Sequence, residues 1–162
     1  MTRTLLLLPL LAACGEPLPC ETDDLAVGEV EALVDDQLWL GAEATWQSAG
    51  EGLQITTALS QGWRLNLVAT RTEGGFFVGD ALDGLPVEVS LSGEAGAALA
   101  YPEFGNTMSS RDHPSGGSLT LLSLDDGALS ACFEFSALGP NGGVVEFTGG
   151  RLVAAEDVVN SD

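Results

Sequence analysis

The residues able to begin metal or nucleophilic chemistry are few in these 162: one histidine, three cysteines and a scatter of aspartates and serines. His113 lies in "MSSRDHPSGG", with Ser109, Ser110, Asp112 and Ser115 beside it. These are the residue types of a serine hydrolase. Triads, however, are assembled by tertiary structure from rigid elements, whereas here the residues are neighbours in one Ser/Gly/Pro loop. Such residues are ordinary turn formers, and the GxSxG spacing is absent. No catalytic residue is assigned. A zinc centre takes three or four Cys, His or carboxylate ligands, which one histidine and two pairable cysteines do not supply. Calcium suits the composition better, because it binds carboxylate and carbonyl oxygens. Asp23–Asp24, Asp35–Asp36, Asp80 with Asp83, and Asp125–Asp126 all fall where turns are expected, but none has EF-hand spacing. Aspartate also starts tight turns by bonding its own backbone. No metal site and no cofactor are assigned.

For a ligand the resource is aromatic surface. Trp39, Trp46, Trp63 and Tyr101, with Phe104, could line a groove for a sugar or an apolar molecule, and the pair Phe76–Phe77 must place one ring outward if it lies in a strand. The competing use of the same rings is the core of a β domain. Cys20 and Cys132 admit a single pairing. In "ALSACFEFSA" Ala131, Phe133 and Phe135 share one face and Ser130, Cys132, Glu134 and Ser136 the other. Cys132 therefore lies on the polar face, where a stretch of chain crossing the outside can reach it. Two unpaired thiols are the alternative.

The third cysteine, Cys14, closes a ten-residue apolar run, Thr4 to Ala13, that follows a start carrying Arg3. The run has the length of a signal-peptide core and is too short to span a bilayer, which takes about 20 residues. "LAAC", Leu11 to Cys14, resembles the lipobox read by the bacterial lipoprotein peptidase. The resemblance implies a lipoprotein signal peptide over residues 1–13, diacylglycerol on the Cys14 sulfur, and acylation of the new amino group. Two or more acyl chains, at about 0.8 kcal/mol per buried methylene, hold a protein stably on a membrane. Gly15 stands where aspartate would imply inner-membrane retention, so the expected location is the bacterial outer membrane, facing periplasm or cell surface.

Beyond residue 13 the chain holds 24 acidic residues against four arginines, Arg64, Arg71, Arg111 and Arg151, and no lysine, a formal charge of −20. Nucleic-acid binding needs clustered cations to neutralise phosphates, so no nucleic-acid partner is expected. Apolar residues make up 45 % of the sequence, too many for an acidic disordered tail. Residues 14–25, with "GEPLPCETDD" after the cysteine, read as a tether stiffened by proline and extended by charge, reaching about 30 Å. Residues 26–157 read as one all-β domain and 158–162 as a disordered tail.

The elements that must position any site repeat with a period of two. "VEALV" sets Val30, Ala32 and Val34 against Glu31 and Leu33. "LQITTAL", "WRLNLVAT", "VEVSLSG", "SLTLLSL", "ALSACFEFSAL" and "GVVEFTGGRLVAA" alternate likewise. The gaps "QGW", "EGG", "LDGLP", "LDDGA" and "GPNGG" supply turn residues. Gly149–Gly150, inside a good strand, predicts a bulge or bend. "EAGAALA" is the nearest approach to a helix. The pattern predicts eight to ten strands in an antiparallel β-sandwich or a partly closed barrel.

Strand order and sparse motifs over roughly Gly28 to Ala155 resemble a family of bacterial lipoproteins classed as a domain of unknown function. "VDDQLWLGAEATW" with Trp39, "LTLLSLDDGALSACFEF" and "VVEFTGGRL" carry the likeness. Ala131 stands where that family has glycine, and Gly149 where asparagine is common. The likeness implies an envelope compartment and an all-β fold, and carries no catalytic residue. The expectation is a non-enzymatic binding, scaffolding or surface-interaction domain held to the membrane by its lipid, with an envelope protein, lipid or saccharide as partner. The alternative is a barrel or sandwich whose mouth binds a small lipid or saccharide.

Overall fold

A computed structural model of the chain describes residues 20–158. The expected signal peptide, Cys14, the first half of the tether and all of the tail but Val158 lie outside the described residues.

Among the described residues the predicted alternation is realised as eleven strands: β1 (Val30–Val34), β2 (Gln37–Gly41), β3 (Thr45–Ala49), β4 (Gly52–Thr56), β5 (Trp63–Ala69), β6 (Val87–Ser90), β7 (Gly96–Pro102), β8 (Met108–Ser109), β9 (Gly117–Asp125), β10 (Ala128–Leu138) and β11 (Val144–Glu156). A single helical turn, α1 (Val78–Ala81), and the 3-10 turn that follows it join β5 to β6. "EAGAALA" is not helical. Its last five residues open β7, which pairs with β5 from Trp63↔Pro102 to Ala69↔Gly96.

The hydrogen-bonded order is β2-β1-β11-β3-β4-β5-β7-β8-β10-β9-β6, with β11 also paired to β10. Two layers follow from it. One is β2-β1-β11-β10-β9-β6, and the other is β3-β4-β5-β7-β8. They meet at two corners, where Ala155 and Glu156 of β11 run beside Thr45 and Trp46 of β3, and where Leu138 of β10 pairs with Ser109 of β8. The fold is thus a sandwich whose layers are stitched into a partly closed barrel. The β11–β3 corner is parallel, which departs from the all-antiparallel expectation. β11 leaves one layer for the other at its end, so it meets β3 in whatever direction closure imposes.

The core is what the alternation foretells. Leu53, Ile55, Leu65 and Leu67 from one layer meet Leu119, Leu121, Leu129, Phe147 and Leu152 from the other, all essentially sealed from solvent. Each such side chain contributes about 1.5–3 kcal/mol on burial. Two-residue turns set the registers. Asp35 and Asp36 both take positive φ between β1 and β2, as do Asp126 and Gly127 between β9 and β10. These are the left-handed pairs that match strand twist. Asp35 also accepts the Glu146 N–H on its carboxylate at 2.9 Å, tying the first hairpin to β11.

The predicted bulge lies where the glycines are. Along β10 the partners step from Phe133↔Gly150 to Phe135↔Phe147, so β11 spends one residue more than β10. Gly149 adopts φ +58°, and a Cβ on Gly150 would lie 2.4–2.6 Å from the Phe133 ring. The ring of Phe133 therefore rests on the bare backbone of β11.

Candidate functional site

The segment before β1 is not free chain. Cys20 and Cys132 are disulfide-bonded, with Cα atoms 6.0 Å apart, and this fastens the start of the described chain to the middle of β10. Cys132 is reachable because it faces outward, as its place in the alternation requires. Arg151 of β11 makes a second fastening. Its guanidinium donates to both carboxylate oxygens of Asp24 at 2.6 and 3.0 Å, to the Glu21 carbonyl at 3.1 Å and to Glu31 of β1 at 3.1 Å. The hydrogen bond from Arg151 holds the Asp24 carboxyl below its usual range, and the same bond raises Arg151. Thr22, between the two fastenings, is buried.

Beside this strap lies a groove of about 590 Å³ on the outer face of the β2-β1-β11-β10-β9-β6 layer. Its apolar wall is Leu33 and Leu38, directly opposite one another across β1 and β2 and both exposed. Its floor runs over Gly149, where a side chain would enter open space, and over the bare backbone of Gly150, with the Phe133 ring beneath. The far wall is Cys132 with Ser118 and Thr120 of β9. Glu21, Glu31 and Glu134 line the groove, and the one cation there among the described residues, Arg151, is already committed to Asp24 and Glu31.

The aromatic residues singled out from sequence are not gathered around this groove. Trp39 and Trp46 are buried in the core, where their indole N–H groups donate to the carbonyls of Ser60 at 2.8 Å and Gly127 at 2.9 Å. Trp39 and Trp63 both meet Phe147 edge-on, at 6.0 and 5.6 Å, and Phe135 stacks on Phe147 at 4.6 Å. The rings occupy the interior that a ligand would otherwise need. Tyr101 sits apart under Arg64, 4.5 Å from cation to ring centre, beside a shallow notch of about 250 Å³ that also includes Leu59 and Glu103. Phe77 lies 4.1 Å below Arg71, next to Phe76, which is 70 % exposed. Phe104 is exposed as well.

The His113 loop is a turn. Ser115 N–H donates to His113 Nδ1 at 3.1 Å, the nitrogen that a triad would turn toward its acid. Ser110 is fully buried, its hydroxyl accepting from the Ala98 N–H and donating to the Leu91 carbonyl. Among the described residues no three His, Cys, Asp or Glu side chains come together as a metal-binding group. None of the described helices is long and apolar enough to cross a membrane.

The groove is the feature that residue-by-residue reading misses. Its signal in the sequence is the pair Gly149–Gly150, one glycine leaving the outer face bare and the other letting a core ring lie against the backbone, followed by an arginine that can draw a strap across. Comparison of the chain with family models, curated proteins and solved structures found no match.

Proposed function

We propose that this protein is a lipid-anchored domain of the bacterial envelope, held to the outer membrane through Cys14, and that its role is non-catalytic recognition through its outer face. The observation that carries the reading is the Cys20–Cys132 bridge. Such bonds persist in oxidising compartments such as the periplasm and cell surface. The "LAAC" stretch supplies the matching export address six residues earlier. With Cys20 pinned to β10, the span left between the lipid and the body is Gly15 to Pro19, about 15–20 Å of extended chain. The body would then stand close to the membrane, while its acidic surface opposes contact with anionic headgroups.

Recognition rather than turnover is supported by the character of the groove. It pairs exposed leucines with committed or solvated carboxylates, and its one arginine is engaged structurally. A second reading rests on its volume, which lies within the range of small-molecule sites of about 300–1,000 Å³. In that reading an apolar or sugar ligand replaces the protein partner.

Substituting Cys14→Ser tests the anchor. The expected result is transfer of the protein from the membrane fraction to the soluble fraction, together with loss of a lipid-sized mass. A variant that still sediments with membranes would overturn the reading.

A further inference from the structure

We propose that the groove beside the Cys20–Cys132 strap takes an extended segment of another protein in which lysine or arginine alternates with leucine-sized apolar side chains. The inference rests on the recognition reading above and names its partner.

Shape and charge each narrow the occupant. Leu33 and Leu38 are 40 % and 59 % exposed, a cross-strand apolar pair that the fold leaves unburied. Across the Gly149–Gly150 floor from them, the other wall is polar: Ser118, Thr120 and Glu134. A segment lying between the two walls meets apolar surface on one side and two hydroxyls with the Glu134 carboxylate on the other, so alternating chemistry fits it. Glu21 and Glu134 have no cation partner among the described ion pairs, and the whole sequence carries −19. A basic partner gains at the groove and is drawn in from a distance by the net field.

The same charges disfavour the other occupants. A second copy of the chain brings another −19 to the contact. The chain's own "GEPLP", just before Cys20, would add Glu16 to a rim that is already acidic. Anionic lipid headgroups meet the same repulsion.

The test uses the full chain immobilised through a C-terminal tag, at about 150 mM salt so that long-range attraction is largely screened. The probe is an acetylated seven-residue peptide alternating lysine and leucine, with the glutamate–leucine counterpart as comparison. Saturable one-to-one binding of the basic peptide alone is expected. Leu38→Lys and Glu134→Lys should each weaken it about tenfold, whereas Glu51→Lys, an exposed charge in the turn between β3 and β4 on the other layer, should leave it within twofold. All three positions are on the surface, and near-ultraviolet circular dichroism checks each fold. If one groove variant misfolds, the other decides.

Equal weakening by Glu51→Lys would assign the attraction to net charge and overturn the proposal. So would the absence of saturation, equal binding of the acidic peptide, or binding indifferent to both groove variants. Failure here leaves membrane anchorage untouched, because the Cys14→Ser fractionation is read independently.

Discussion

Replacing both Cys20 and Cys132 by serine should cost this protein a large share of its stability. The two residues are 112 apart, so the bridge closes a loop that contains most of the described chain. The chain-entropy relation for a loop of that length gives about 4.8 kcal/mol at 25 °C, as the constraint lost from the unfolded state. Little of this should be offset or enlarged in the folded state. Cys132 is half-buried on the outer face and Cys20 is exposed, so the serines remain hydrated and leave no core cavity. Arg151 would still grip Asp24 and the Glu21 carbonyl, but Asp24 is a solvated partner whose attraction salt screens. For a domain of this size about 5 kcal/mol corresponds to a fall in Tm of about 10–20 °C. Urea titration should show a lower midpoint and a steeper m-value, since the unbridged chain exposes more surface on unfolding. Reductant added to the native protein should reproduce both changes. A loss below about 1 kcal/mol, or free-thiol labelling of both cysteines in the unreduced protein, would refute the reasoning.

Gly150→Ala places a methyl group where the Phe133 ring already lies, and should destabilise by about 1–3 kcal/mol in thermal melts; Phe133→Leu in the same chain should recover part of the loss. The strap should also be sensitive to acid. Because Asp24 is depressed by its hydrogen bond to Arg151, its contribution is complete above the ordinary carboxylate pKa near 3.8 and is lost as pH falls through the lower folded value. A carbon-detected NMR titration should therefore find Asp24 titrating below that value in the native protein and near it in Arg151→Met or at about 1 M salt. Unchanged titration in the variant would separate Asp24 from Arg151.

The sequence carried the layer architecture because one face of most strands is dry. "ALSACFEFSAL" buries Leu129, Ala131, Phe133, Phe135 and Ala137 and leaves Cys132 outside, so its period showed that Cys132 is within reach of a partner, while two free thiols stayed open until the structure joined it to Cys20. The bulge was legible too, since two glycines in a strand have few other uses. Closure was not. The β11–β3 and β10–β8 corners rest on one or two residue pairs each, and no local pattern marks them. α1 is a single turn around Val78 and Gly79, too brief to show a helical period. The tryptophans show the limit for sites: an indole can be a platform or a core piece, and what decides is a carbonyl within reach of its N–H, here Ser60 and Gly127 from distant turns. The groove escaped notice because it consists of a missing side chain at Gly149 and of a strap drawn over from the other end of the sequence.

Because the bridge enters β10 in the interior of its layer, it also fixes how the body would carry mechanical load. Tension applied at Cys20 passes through sulfur straight to Cys132 and bypasses every strand from β1 to β9. If the ends were pulled apart, only the residues after Cys132 could pay out, about 90 Å of chain against about 470 Å without the bridge. With the anchor and the occupant proposed above, drag on the outer face would reach the anchor through a covalent path that leaves most of the sheet unstretched.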